Sequence, residues 1–230
     1  MRICEDTPFK SSRARFRHSL STSVNGWKPS RLLHEAVEPK KIEVKLMEST
    51  LQERPDHPIN LCHSFNAQET SHRLSKALRR RDRRLSIVAA MKRFQPPRPG
   101  EKENKIADLE DIGREARAFS VTGVDAALVI TDMLSYGFET AELSRNANVL
   151  RTSNLDLGMA IARHDLINDP VQIAEAAVAG AAAVNIIAAA ALPKIMELMD
   201  AVTAMGIESV VECHTELERD LRSYEEGCHQ

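Results

Sequence analysis

The stretch GMAIARHDLINDPVQIAEAAVAGAAAVNII, residues 158–187, reads as strand, turn, helix and strand in succession. Gly158 to Ala162 is an apolar run of strand length. Asp169 is a natural N-cap, because its side chain can accept from the free amides that open a helix, and Pro170 suits the first helical position. The helix predicted from there runs to Ala179. Ala183 to Ile187 is a second apolar run of strand length, and a strand–helix–strand unit of this size joins parallel neighbours by a right-handed crossover.

The same alternation extends in both directions. Ser86 to Met91 reads as a strand, and Ile106 to Ser120 as a helix with Ile106, Leu109, Ile112, Ala116 and Phe119 on one stripe. Ala126 to Thr131 reads as a strand and Thr140 to Leu150 as a helix. After Ile187 a helix is predicted from around Pro193 to Met205, where Gly206 stops it. Ser209 to Cys213 is the fifth strand, and Thr215 with Glu218 predicts a capping box for a fifth helix. Five such units require an α/β fold with a parallel sheet, which a closed barrel and an open doubly wound sheet both satisfy. No glycine-rich G-x-G-x-x-G turn follows the first strand, which weighs against the dinucleotide-binding version.

Ahead of the first strand, residues 30–85 read as an N-terminal helical extension. A helix is predicted from Arg31 to about Met47, interrupted near Pro39, then a polar stretch with Pro55 and Pro58. A second helix is predicted over Gln68 to Arg84, with Leu74, Ala77 and Leu78 on one side. It carries Arg79, Arg80, Arg81, Arg83 and Arg84. Asp82 interrupts that run and no aromatics are interleaved, so a solvated face is the better reading than a nucleic-acid or phosphate site. Residues 1–29 show no sustained period and read as a leader. Residues 10–31 are rich in Ser and Arg and hold no acidic residue, which suits a plastid transit peptide; Glu5 and Asp6 favour a plain disordered leader in a cytoplasmic protein.

Composition narrows the field further. The net charge of −2 gives no bulk attraction to nucleic acid or anionic membrane. Apolar runs broken at Gly180, Asn185 and Pro193 fall short of the ~18 residues of a membrane span. The four cysteines, Cys4, Cys62, Cys213 and Cys228, are too scattered for a disulfide framework. Three of them precede a histidine, but neighbouring strand side chains point to opposite faces and no C-x-x-C spacing occurs. Unrelated reduced thiols are therefore favoured over a metal site.

Four segments carry a family resemblance. Val88-Ala89-Ala90-Met91-Lys92-Arg93-Phe94-Gln95-Pro96 resembles the first-strand signature of indole-3-glycerol phosphate synthases. Val129-Ile130-Thr131-Asp132, followed by Tyr136 and Gly137, is similar to the second-strand segment and its loop. Arg163 to Ile173 tracks the third-strand pattern without a gap. Val210 to Glu216 is similar to the fifth-strand segment, and Leu32 to Glu48 looks like the helix that precedes the barrel in this family. The resemblance covers about residues 31–226. It implies a TIM (β/α)8-type barrel, incomplete, with about the first five β/α units over residues 86–230.

The resemblance also implies a reaction and a set of site residues. The family closes the pyrrole ring of a carboxyphenylamino-deoxyribulose phosphate, with loss of carbon dioxide and water, in tryptophan biosynthesis. No metal or organic cofactor is implied. The substrate-contacting lysine is Lys92, and the catalytic glutamate of the fifth strand is Glu212. His164 stands where the family has its general-acid lysine; an imidazole can donate a proton near neutrality, but with shorter reach. Gln95 stands where a serine is usual, as a longer donor, and Ala90 replaces a glutamate. His214 is shared with the family and orients the strand end. Lys92, His164 and Glu212 are expected to converge on one pocket. The family's sixth to eighth strands, with its phosphate-binding loops, fall outside this stretch, so weak turnover is expected. A half barrel of this kind is expected to pair with another copy or a complementary chain, to open, or to be unstable. A non-catalytic, partner-binding scaffold is the alternative, and Ala90 and His164 favour it.

Overall fold

The structure is a computed structural model that describes residues 31–64, 72–79, 84–95, 104–132, 136–141, 143–145, 147, 159–192 and 194–219. The leader read over 1–29 lies outside the described residues, as do Arg80, Arg81 and Arg83 of the arginine run. Arg79 and Arg84 are both exposed. No helix among the described residues is long and apolar enough to cross a membrane.

Helix α1, Arg31–Gln52, runs through Pro39 without the expected interruption. Proline removes one amide and crowds the preceding turn. The helix is held past that point by one face, on which Val37, Lys40, Val44 and Leu51 are buried at spacings of three, four and seven residues. Ile42 and Leu46 on the same helix are exposed, whereas Lys40 takes a buried place. Pro58, read as part of a polar connection, opens a second helix, α2, Pro58–Ser64. Proline at a first helical position costs nothing, since that amide has no partner within the helix. Helix α3 spans Arg73–Leu78, far shorter than the predicted Gln68 to Arg84. His72 at its head has φ 49°, and Arg79 leaves the helical region at φ −84°, ψ 79°.

Strand β1 is Val88–Met91, β2 Phe94–Gln95 and β3 Asn104–Lys105, the last two forming a small antiparallel pair. Helix α4 is Ile112–Val121 and strand β4 Ala126–Ile130. The helix expected from Ile106 starts six residues late because the Ile106 amide donates to Arg93 O at 2.8 Å, beside the β2–β3 pair. Asp111 then caps α4, accepting from Arg114 N at 3.1 Å. Among residues 140–147 the described positions are helical, as predicted.

Strand β5, Ala160–His164, begins two residues later than predicted, which preserves the facing of every side chain. Helix α5, Pro170–Val178, opens on the expected Asp169 with Pro170 first, and Gln172 completes the capping box. Strand β6 is Ala183–Ile187, α6 a four-residue turn Ala188–Ala191 absent from the sequence reading, and α7 Ile195–Ala204. Strand β7, Glu208–Glu212, precedes α8, Glu216–Arg219. Thr215 Oγ1 accepts from Glu218 N at 3.2 Å, as a cap should, but the Glu218 carboxylate takes the amide of His214 at 2.8 Å, one residue before the box position.

The five longer strands lie parallel in the order β1-β4-β5-β6-β7, an unclosed portion of a (β/α)8 barrel. Met91, Val129, Ile161, Val184 and Ile186 face the helices and bury with Ile173, Leu198 and Phe138. The opposite face carries Ala126, Ala160, Ala162 and Ala183, whose small side chains let α3 lie across them with Leu74 buried among them. Glu208 accepts from Leu74 N at 2.7 Å and from Ser75 N at 3.1 Å, while Arg73 donates to Gly180 O and Ala181 O. Helix α3 thus covers the amino ends of the strands. Their carboxyl ends are left for side chains of another kind.

Candidate active site

Side chains two apart in a strand share a face. Toward the carboxyl ends the alanine-bearing face carries Lys92, just after β1, Ile130, His164, Asn185 in the middle of β6 with Ile187 at its end, and Glu212. Register places them side by side: Ile130 pairs with His164, His164 with Asn185, and Ile187 with Glu212. Lys92 follows Met91, which pairs with Val129, so it stands beside Ile130 at the far end of the row.

Glu212 is the centre of this group. Its Oε2 accepts from Asn185 Nδ2 at 2.9 Å and lies 3.5 Å from His164 Nε2. Its Oε1 lies 3.0 Å from His214 Nε2. Asn185 is 3% exposed, whereas the side chains of His164, Glu212 and His214 are 25%, 37% and 64% exposed. A carboxylate beside an imidazole at the open end of a parallel sheet can exchange protons with a bound molecule. The Tyr136 phenol is close enough to feel this charge: burial first, then Asp132 and Glu212, push it above its ordinary value.

Of the four residues named from sequence, the structure brings His164 and Glu212 together. Lys92 shares their face and is half-buried, but no ion pair or hydrogen bond among the described residues joins it to either. Two of the three are thus in contact, and the third stands on the same face. Gln95 sits exposed in β2, opposite Asn104. Ala90 is exposed on β1.

Asn185 reads in the sequence only as a break in an apolar run. The available signal was its uniqueness, one amide at the middle of Ala183-Val184-Asn185-Ile186-Ile187, on the face that parity shares with His164. Arg93 was also missed. It donates from Nη1 to Gly137 O at 2.6 Å and from Nε and Nη2 to Leu109 O, and its guanidinium lies 4.3 Å from the Phe138 ring centroid. These bonds tie the segment after β1 to the loop that carries Tyr136.

Behind the site, on the helix-facing side, lies a buried ionic network. Arg163, fully buried, donates to Thr131 Oγ1 at 2.9 Å, Gln172 O at 2.9 Å, Glu175 Oε2 at 2.7 Å and Asp165 Oδ2 at 2.8 Å. Lys40 of α1 reaches Asp165 Oδ1 at 3.1 Å. Burial alone would lower the Arg163 guanidinium, but Asp165 and Glu175 outweigh it and raise it.

A cleft of about 630 Å³ lies between α1 and the segments that follow β5 and β6, lined by Val37, Val44, Lys45, Asn168 and Leu192 among others. None of Lys92, His164, Asn185 and Glu212 lines it. Chemistry therefore points to the strand ends and not to this cleft. Cys62 and Cys213 are half-buried thiols that form no disulfide among the described residues, and burial pushes the Cys62 thiol up. Cys4 and Cys228 lie outside the described residues. Among the described residues no three His, Cys, Asp or Glu side chains are placed to hold a metal ion.

Comparison with known proteins points to one family. The family model described as indole-3-glycerol phosphate synthase matches residues 33–223. Indole-3-glycerol phosphate synthase of Opitutus terrae is 34% identical over 148 residues, 63% of this chain and 53% of that protein. The protein of that name from Methanopyrus kandleri is 32% identical over 130 residues, 56% of this chain and 46% of its own. That from Leptospira interrogans is 27% identical over 194 residues, 84% and 66% respectively. The chain spans about half the length of the first two relatives and about two thirds of the third.

Proposed function

Because the chain belongs to the indole-3-glycerol phosphate synthase family, we propose that its strand-end site carries out a weakened form of the carboxy-lyase ring closure of tryptophan biosynthesis. The substrate class is a phosphorylated carboxyphenylamino-deoxyribulose. The observation that carries this reading is the His164–Glu212 pair, 3.5 Å apart at the carboxyl ends of β5 and β7. Glu212 serves as the base of the dehydration, and His164 as the acid at the ribulose carbonyl. Lys92 supplies a cation to the anionic groups of the substrate, and Gln95 a donor at the rim. The activity is weakened because an imidazole lacks the fixed charge and reach of lysine, and because Ala90 supplies no carboxylate.

The test is ring-closing turnover by the purified chain, followed by the fluorescence of the indole product. Glu212→Gln is expected to lower the rate ~100-fold or more, the usual share of a general acid–base group. His164→Lys and Ala90→Glu together are expected to raise it. Equal rates for the unaltered chain and Glu212→Gln sink the reading.

The second reading, a non-catalytic scaffold that binds another copy or a complementary chain, is favoured by the exposure of Val88 and Val210 on the site-bearing face, at 43% and 39%. Gel filtration tests it; a monomer with sharp cooperative unfolding speaks against it. The Ser- and Arg-rich composition of residues 10–31 supports a plastid location. A fluorescent fusion carrying that leader, found only in the cytoplasm, would end that part of the proposal.

A further inference from the structure

We propose that Asn185 is a positioning residue, whose carboxamide fixes the Glu212 carboxylate in the orientation that presents Oε2 to His164 and Oε1 to His214. This rests on the reading of Glu212 as the reacting carboxylate. Glu212 closes strand β7, which pairs with β6 alone among the described residues, and a glutamate has three rotatable bonds to restrain. His214 offers one restraint, but from a side chain that is 64% exposed. His164 Nε2, at 3.5 Å, makes a long contact. Asn185 is the buried donor of the three, 3% exposed, with its Nδ2 at 2.9 Å from Oε2.

Its place in the sheet explains why it can do this. Strand β6 lies between β5 and β7, and Asn185 pairs in register with His164 on one side and Val210 on the other. An amide there bridges the two strands that carry the acid and the base. A buried amide needs a partner, so Asn185 and Glu212 hold each other. Around the group, Asp132 and Tyr136 approach from the β4 side, and Glu218 holds the His214 amide from α8.

The experiment is ring-nitrogen NMR of His164 and His214 at about pH 8, where free imidazole is neutral, on the full chain and its Asn185→Leu and Glu212→Gln variants. Ring-nitrogen shifts report which nitrogen carries the proton and what it bonds. Glu212→Gln is expected to change both rings. Asn185→Leu is expected to change the His164 ring markedly, as Oε2 is released, with a smaller change at His214. Unaltered shifts at both rings in Asn185→Leu, with or without a loss of stability, overturn the proposal. Asn185→Ser, whose donor is too short to reach, gives the same readout should the leucine variant fail to fold. Where the chain turns over substrate, Asn185→Leu should lower kcat ~10-fold with KM little changed. Ring shifts that respond as expected in a chain without turnover leave the positioning role standing and remove the lyase reading.

Discussion

The Lys40 ammonium, on the helix that precedes the barrel, lies within 3.2 Å of both carboxylate oxygens of Asp165, at the end of β5 and 125 residues away. It also donates to Thr131 O at 3.3 Å. Both side chains are almost wholly buried, so little water screens the pair. The N-terminal helix is therefore joined to the end of β5 by charge, while its Val44 and Leu51 pack into the main core.

Removing the cation should loosen that joint. Lys40→Met is expected to cost about 1–3 kcal/mol in urea unfolding, because Asp165 keeps Arg163, Thr131 and the Leu166 amide as donors. A double-mutant cycle with Asp165→Asn should show coupling of at least about 1 kcal/mol. Additive losses would mean that the two groups act independently.

Arg163 should be less replaceable. It spends its donors on Thr131, Asp165, Gln172 and Glu175 with no exposure to solvent. Arg163→Lys keeps the charge but not the fork, and leaves buried acceptors unmet. A loss of about 3–5 kcal/mol is expected, and one below about 1 kcal/mol, the scale of a single ordinary hydrogen bond, would contradict this account of the network.

The same network sets the dependence of stability on pH. Burial alone would raise the Asp165 carboxyl, but Arg163 and Lys40 outweigh it and hold it below the ordinary value. Its contribution is complete above the unfolded value of about 4 and is lost as pH falls through the lower folded value. Burial would likewise lower Lys40, but Asp165 and Glu43 raise it. That contribution is complete below about 10.4, the unfolded value, and is lost as pH rises through the folded one. The stability difference between the unaltered chain and Asp165→Asn should therefore be flat from about pH 5 to 9 and shrink below about pH 4. Urea titrations at stepped pH measure it, and a difference that grows toward acid would reverse the sign.

Two glycines of similar conformation should respond differently to alanine. Gly137 has φ 77°, and a Cβ there would stand 2.6 and 2.7 Å from Phe94 ring carbons. Gly123 has φ 89°, and a Cβ there would meet nothing within 4 Å. Gly123→Ala is expected to cost about 1–2 kcal/mol, the left-handed penalty alone. Gly137→Ala should cost at least about 1 kcal/mol more, from overpacking, as read from thermal midpoints. Equal costs would show that Phe94 gives way freely.

How far the sequence foretold this arrangement depended on the range of the forces involved. Asp169, Pro170 and Gln172 act within one helical turn, so the start of α5 was legible from those residues alone. Pro58 has two local meanings, breaker and first helical residue, and only the packing of Ile59 decides between them. The start of α4 was misplaced because Ile106 continues the apolar stripe while its amide is engaged by Arg93. His164 and Glu212 are placed on one face by alternation and at the ends of the third and fifth strands by resemblance, with β6 between them. Alternation puts Asn185 on the same face, but its bond to Glu212, 27 residues away, follows from no spacing rule.

The seat of α3 has a bearing on how the polypeptide emerges from the ribosome. Leu74 rests on alanines from β4, β5 and β6, and the acceptor for its amide, Glu208, is 134 residues downstream. Translation therefore releases this six-residue helix long before the alanines that seat it and the carboxylate that caps it. Until β7 has cleared the exit tunnel the Leu74 amide lacks its Glu208 acceptor, so a late strand locks an early helix.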